Sequence, residues 1–574
     1  MKKLQIILAM LTALAVVAVY YFPADAGSRS ARQSWETRNL PEGQKTYANH
    51  FATALACEVC HGNADTAENL RDEKKRPVSP YQLWQSSMMA NAARDPFWRA
   101  VVSAEVANNP EHADAIQQKC MRCHMPMLVT ERKLQKQEPA PFATMYKNST
   151  EGGIAIDGVS CTVCHQIAPD KLGTPESFTG GFVIEKGNVI YGPHANPFSM
   201  PMIGHSGYFP VQSDHISESS MCGSCHTVFT HAIDNGKATS HQLAEQSPYL
   251  EWRNSVFSTE REDKSRAAKS CQDCHMPRVS VDGKPIQTRI ARSPNGGDYL
   301  TEVRRTFSRH VFVGGNTLLP AIFRDHADEL KPLANADAFN ATIKLATEQL
   351  QNNTARITIS KPVLSDGKLE FKVGVHNKAG HKFPSAYPSR RAFLRVRVKD
   401  AAGKMIFSSG EFNDKGELLD EHGKVRSSES KGGYEPHLRE LTDASQVQIF
   451  ESVMQDVHGK PTWRLMTGAS YIKDNRILPL GWKADGPNAD DTRPVGTGTS
   501  RFEGGKAVLP VILKNMTGAA SIEVELFYQV ISWRYANELF KIRTPEILTF
   551  QEYLDAADTK PVRVTSATTK VTQK

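Results

Sequence analysis

The chain has 574 residues, too many for one ordinary domain, so two or three are expected. Its 40 % hydrophobic content can form a core but is modest for that length, which leaves room for bound groups. The formal net charge of +7, from 69 basic and 62 acidic residues, is small and, once the charges of those groups are counted below, gives no support to a nucleic-acid partner.

The first residues read as an export segment. Lys2 and Lys3 precede an uncharged run rich in Leu, Ala and Val from Leu4 to Phe22, followed by Pro23 and Ala24-Asp25-Ala26. A basic start, an apolar core and an A-x-A-like site define a signal peptide cleaved after Ala26. Residues 4–22 are also long enough to span a bilayer, so residues 1–26 are a signal peptide or an N-terminal anchor. No Cys follows the run, which argues against a lipid anchor. No second transmembrane stretch appears, and the rest of the chain is expected to be periplasmic or extracytoplasmic, free or anchored to the inner membrane.

Between about residues 27 and 354 the chain carries five copies of one motif. They are Cys57-Glu-Val-Cys60-His61, Cys120-Met-Arg-Cys123-His124, Cys161-Thr-Val-Cys164-His165, Cys222-Gly-Ser-Cys225-His226 and Cys271-Gln-Asp-Cys274-His275. All ten cysteines are used. An exported chain with an even cysteine count usually forms disulfides, but this spacing is that of c-type haem attachment. Two thiols reach two vinyl groups on one porphyrin edge, and the adjacent His turns under the ring to bind iron. With 10 Cys and 19 His in the chain, chance supplies about 0.006 such motifs. Zinc sites need no adjacent His, and five two-residue disulfide loops would staple nothing. Five covalent haems c, each with its iron, are expected.

Haem also settles the charge. Removing Lys2, Lys3 and Asp25 with the signal leaves +6. Ten propionates and five ferric centres bring the oxidised holoprotein to about +1 and the reduced one to about −4. The apparent basicity is mostly propionate compensation.

One echo runs through this region. Tyr81-Gln-Leu-Trp84-Gln-Ser-Ser87 and Tyr249-Leu-Glu-Trp252-Arg-Asn-Ser255 share Tyr-x-x-Trp-x-x-Ser after Ser-Pro. Helices are expected at 81–107, 111–121, 248–256 and 338–351, with a Gly- and Pro-rich loop at 169–213. From about residue 355 the texture changes. Segments 356–360, 369–375, 393–398 and 521–527 alternate apolar and polar residues and read as half-buried antiparallel strands. The expected fold is therefore α + β in two domains. A mostly helical, loop-rich pentahaem domain over 27–354 precedes an antiparallel β-sandwich-like domain over 355–557, and residues 558–574, rich in Thr and Lys, form a loose tail.

Each iron has a second side to fill. His310 lies in Arg309-His310-Val-Phe-Val-Gly-Gly315, beside apolar residues and glycines that admit a flat group. His381, in Ala379-Gly380-His381-Lys382-Phe383-Pro384, presents similarly on a loop between two strands, where it would dock the β-region onto a haem. His205 precedes the fourth motif and His231 follows it, and His112, before the second motif, is a reserve. Met89, as a thioether, is the fifth candidate.

Several of these segments together resemble a known grouping. Gly158-Val-Ser-Cys-Thr-Val-Cys-His165, Ser270-Cys-Gln-Asp-Cys-His-Met-Pro277, the His310 segment, Gly380-His-Lys-Phe-Pro384 and Lys473-Asp-Asn-Arg-Ile-Leu-Pro479 resemble bacterial multihaem c-type cytochromes of the tetrahaem-cytochrome and hydroxylamine-oxidoreductase-like grouping. The resemblance covers most of the mature chain. It implies closely packed haems passing electrons in sequence, largely with His/His ligation. In that grouping Tyr-x-x-Trp-x-x-Ser-x-His often supplies a distal His. Here the slot holds Met89 in one copy and Phe257 in the other, and Phe257 cannot bind iron.

Two functions compete. In the first the protein is an electron carrier more than an enzyme, exchanging electrons with redox partner proteins, either other cytochromes or a membrane quinol oxidoreductase. In the alternative it is an oxidoreductase acting on a small nitrogen, sulfur or peroxide species at one haem with an open site. No Cys-x-x-Cys-Lys motif is present.

Overall fold

Capping side chains define the longer helices of the first half. Asp95 accepts the backbone N–H groups of Phe97 and Trp98, and Pro96 stands at the first turn, so a helix runs Pro96–Asn108. Asn335 caps Ala336–Asn353 in the same way. The stretch expected as one helix over 81–107 is two, Pro80–Trp84 and Pro96–Asn108, because the turn-forming segment between them ends at the Asp95 cap. This computed structural model describes residues 39–385, 387–498 and 502–572. The signal or anchor reading of residues 1–26, with its span at 4–22, lies outside the described residues. Among the described residues no helix is long and apolar enough to cross a membrane.

The Gly- and Pro-rich stretch 169–213 is not all loop. Val189–Gly192 pairs in parallel with Phe209–Gln212. A hairpin follows, Val228–Asp234 with Lys237–Gln246, closed by Asn235 and Gly236 at φ +47° and +71°. That conformation is the Asn-Gly turn whose twist matches antiparallel strands.

Beyond residue 355 two antiparallel sheets form. A seven-stranded sheet orders Pro461–Thr462, Ile449–Gln455, Arg391–Asp400, Ala519–Gln529 and Val562–Lys570, with Ser470–Asp474 and Met405–Ser409 added at its flanks. A five-stranded sheet orders Phe502–Glu503, Lys506–Leu513, Lys368–Asn377 and Ala355–Ile359, with Val363–Ser365 also paired to Lys368–Asn377. Alternation does the work along Lys368–Asn377: Leu369, Phe371 and Val373 are buried, while Lys368 and Lys372 are exposed. The sheets meet where Val562–Lys570 and Ala519–Gln529 lie against Ala355–Ile359.

The tail corrects the reading of 558–574 as loose. Val562–Lys570 pairs antiparallel with Ala519–Gln529 over most of its length. Its Thr and Lys residues are those of an edge strand, which keeps one side polar. Before it, helix Pro545–Ala556 packs on helix Pro96–Asn108, with the Phe97 ring 5.3 Å from Phe550 and 5.8 Å from Tyr535. The described residues from 41 onward consequently form one compact unit. The change of texture near residue 355 is a change of secondary structure and not a break in packing.

Candidate haem sites

Each Cys-x-x-Cys-His motif lies in or at a short helical turn: Ala54–His61, Ala113–His124, Cys161–Cys164, Ser219–Gly223 and Cys271–His275. Three-residue spacing on such a turn puts both sulfurs on one side. Ser270 caps the last turn, accepting the Asp273 N–H, while Asp273 accepts the Ser270 N–H. All ten cysteines carry free thiols, and all ten line one continuous cavity of 1460 Å³ together with the five motif histidines.

The imidazoles are preset for metal. Nδ1 of His61 donates to the Ile290 carbonyl at 2.8 Å, His124 to Ala92 at 2.9 Å, His165 to Tyr191 at 2.7 Å and His275 to Val313 at 2.5 Å. A carbonyl only accepts, so the proton sits on Nδ1 and the Nε2 lone pair is free. Burial holds all five rings below the usual histidine value, and His124 and His226 are pushed down to about 4. Trp98 lies flat on His124, ring centres 4.3 Å apart and planes 4° from parallel.

Two further rings face motif rings. His310 lies opposite His165, centroids 6.3 Å apart and planes inclined by 22°. His381 lies opposite His275, at 6.2 Å and 10°. Two imidazoles on opposite sides of one metal, with bonds of about 2.0 Å and ring centres about 1.1 Å beyond the nitrogen, stand about 6.2 Å apart. His310 and His381 each donate from Nδ1 to a carbonyl, of Ser308 at 3.0 Å and of Lys382 at 2.9 Å, which leaves Nε2 free on both. The donor set therefore fits haem: paired thiols, free Nε2 atoms and a mostly apolar cavity between them.

The other distal candidates stand differently. His231 must be corrected: it is exposed on the hairpin strand Val228–Asp234 and does not line the cavity, because the alternation that buries Thr230 and Ala232 turns it to solvent. His205 is exposed at the cavity rim on helix Ser199–Ser206, with no ring facing it among the described residues. His112 lies off the cavity, 2.9 Å from the Gly236 carbonyl through Nε2. Met89 is half-buried and lines the cavity.

The sequence echo is a repeated clamp. Trp84 Nε1–H donates to the Val159 carbonyl at 3.0 Å, and the Val159 N–H donates to the Met89 carbonyl at 2.9 Å. Trp252 Nε1–H donates to the Lys269 carbonyl at 2.9 Å, and the Lys269 N–H donates to the Phe257 carbonyl at 2.9 Å. Val159 and Lys269 each stand two residues before a motif cysteine, Cys161 and Cys271. In both copies the residue after that cysteine ties back to the chain entering an earlier motif: Thr162 donates to the Ala52 carbonyl at 2.8 Å, and Gln272 to the Glu218 carbonyl at 2.8 Å. In both, cysteines of the two motifs are neighbours, Cys57 beside Cys161 and Cys222 beside Cys271. Each copy is thus a pair of motifs, first with third and fourth with fifth, and the later His of each pair is the one that faces a second ring. The second motif joins the fourth through Cys123 and Cys225.

Sequence reasoning missed three carboxyls on the cavity wall, Asp95, Glu105 and Glu245, each pushed up to about 7 chiefly by burial. A lone Glu within the apolar helix sequence Pro96–Asn108 was the available signal for Glu105.

No protein-family model matches the chain, and no curated protein matches it. Among solved structures the similarity is to a cytochrome c with several haems. That structure is a penta-heme cytochrome c552 from Thermochromatium tepidum, at a TM-score of 0.47 and 14 % identity, covering 92 % of this chain and 100 % of that one. A likeness at that level transfers no property, and the geometry of the chain itself decides.

Proposed function

We propose that this chain is a multihaem c-type cytochrome that holds five haems covalently and carries electrons outside the cytoplasm. The observation that carries the reading is the convergence of ten free thiols and five motif imidazoles on one cavity. In this reading the ten cysteines form the thioethers and His61, His124, His165, His226 and His275 bind iron from one side. His310 and His381 bind from the other side at the third and fifth motifs. Bound haem supplies a one-electron exchange at its iron.

The chain's own groups supply the rest. Backbone carbonyls at Ile290, Ala92, Tyr191 and Val313 hold the tautomers of His61, His124, His165 and His275. Neighbouring cysteines join the first motif to the third, the second to the fourth, the fourth to the fifth and, through Cys164 and Cys225, the third to the fourth, which supports a connected route for electrons. Redox proteins, other cytochromes or a membrane quinol oxidoreductase, are the proposed partners. The extracytoplasmic address rests on residues 1–26 and on the chemistry of attachment. Intact mass spectrometry of the mature protein should give five covalent haems; four or fewer would refute the assignment.

One observation favours a second reading. Among the described residues no second imidazole faces His61, His124 or His226 as His310 and His381 face their partners. A haem left without a sixth ligand there would bind a small molecule and support an oxidoreductase. Carbon monoxide titration of the reduced protein counts such sites directly: no spectral change supports the carrier, and one or more equivalents bound supports the enzyme.

A further inference from the structure

His381 belongs to the β-region, on the loop between strands Lys368–Asn377 and Arg391–Asp400, yet the ring it faces belongs to the fifth motif. Four charged side chains are buried behind this loop. Glu251, Lys382, Asp474 and Arg476 are 0 %, 1 %, 3 % and 4 % exposed. Lys382 Nζ donates to Asp474 Oδ2 at 2.7 Å, and Arg476 grips Asp474 in a two-toothed pair, Nε to Oδ1 at 2.8 Å and Nη2 to Oδ2 at 2.7 Å. Arg476 Nη1 also reaches Glu251 Oε1 at 3.3 Å, and Glu251 Oε2 accepts the Lys382 backbone N–H at 3.0 Å. Two cations meet two anions, so the cluster is neutral within itself.

Its members come from three places. Glu251 stands on helix Pro248–Arg253, next to Trp252 of the second clamp. Lys382 follows His381 directly, and Asp474 and Arg476 belong to the Lys473–Pro479 segment. Phe383 and Ile477 exchange backbone hydrogen bonds at 2.9 and 2.7 Å, and Asn377 Nδ2 donates both to the His381 carbonyl at 2.8 Å and to the Ile477 carbonyl at 2.9 Å. A Cβ on Gly380 would come within 3.1 Å of Trp252 Cδ1 and 3.6 Å of Phe257 Cβ, so the loop seats on the clamp itself. The glycine serves close approach here.

Buried ion clusters add little stability over apolar residues of the same size, but their geometry admits one register only. We propose that the quartet Glu251, Lys382, Asp474 and Arg476 positions His381 against His275, so that the sixth ligand of the fifth haem depends on the seating of the β-region. The proposal rests on the ligation proposed above. Lys382 is held at both ends, its ammonium by Asp474 and its backbone N–H by Glu251, and the imidazole one residue earlier takes its direction from that grip. These four are positioning residues and touch neither iron nor porphyrin in this account.

The test uses the mature haem-loaded protein and three variants, His381→Ala, Asp474→Asn and Arg476→Lys, read by electron paramagnetic resonance, near-infrared spectra and haem content. Arg476→Lys keeps the charge and loses the two-toothed grip. All three should retain five haems, and each should convert one haem of five from low to high spin, with added imidazole restoring low spin. If His381→Ala leaves the number of low-spin haems unchanged, the ligation reading fails. If His381→Ala converts one haem while Asp474→Asn and Arg476→Lys leave its spin state and midpoint potential unchanged, ligation stands and the positioning role is overturned. Should Asp474→Asn fail to accumulate, Arg476→Lys carries the same two outcomes.

Discussion

Glu105 makes the stability of this protein fall as pH rises from about 4.5 to about 7. It is 2 % exposed on helix Pro96–Asn108, with Oε1 accepting the Leu465 N–H at 2.6 Å and Oε2 the Met466 N–H at 3.3 Å. Burial pushes its carboxyl from 4.5 up to about 7, against the smaller pull of the two N–H donors and Arg464. Between those values the native state keeps a proton that the unfolded state has released. Its contribution is therefore unpenalised below 4.5, and stability is lost progressively until about pH 7. A gap of about 2.5 in pKa at about 1.4 kcal/mol per unit is a loss of about 3 kcal/mol at pH 8. Glu105→Gln mimics the protonated side chain, with one acceptor and no charge. It should match the parent within about 1 kcal/mol at pH 5 and exceed it by about 3 kcal/mol at pH 8. Denaturant unfolding of the haem-loaded pair at fixed ionic strength from pH 5 to 8 measures the difference. A difference that stays flat across that range, or a Gln variant weaker at pH 8, would refute the account.

His310→Ala should leave the third motif's haem attached but convert it to high spin, one of five in the resonance spectrum; an unchanged low-spin spectrum would show that the 6.3 Å pairing with His165 is packing alone. Trp84→Phe and Trp252→Phe each remove one indole donor from a carbonyl at 3.0 and 2.9 Å, and each should cost about 1–2 kcal/mol in thermal or denaturant unfolding. The two sites share no partner, so the double variant should lose about the sum. A cost at one tryptophan and none at the other would mean that the two clamps are not equivalent.

The Cys-x-x-Cys-His motif is legible because it is local: two thiols and an imidazole within five residues need no tertiary information. Strands such as Lys368–Asn377 and Arg391–Asp400 were legible because one face is buried and alternation survives in the sequence. Val562–Lys570 was not, because an edge strand with Ser, Thr and Lys along it alternates only weakly. The hairpin Val228–Asp234 with Lys237–Gln246 escaped for a different reason. Its Asn235-Gly236 turn is a fair signal, but the strand after it is polar, and distance from a motif says nothing of the face on which His231 stands. His310 and His381 were suggested by neighbouring glycines and apolar residues. The partner each one faces could not be read, since those pairings cross 145 and 106 positions of chain from His165 and His275. The buried quartet behind His381 reads as ordinary surface charge until the fold brings its three segments together.

The two clamps explain why the echo can persist although neither copy holds histidine in the slot. The work of the slot residue is done by its backbone. The Met89 carbonyl accepts the Val159 N–H, and the Phe257 carbonyl accepts the Lys269 N–H, at the same 2.9 Å. With the tryptophan holding the carbonyl of that same residue, both polar groups of the segment entering the motif are fixed before Cys161 or Cys271 begins its turn. The side chain in the slot is then free to differ. Phe257 lies against Gly380 and so helps to seat the loop that presents His381. Met89 lines the cavity as well, with a thioether in place of the phenyl ring. The frame around the motif and the proposed donor to the metal are therefore separable parts, and in the proposed reading it is the donor, His310 or His381 from outside the repeat, that decides between a closed haem and an open one.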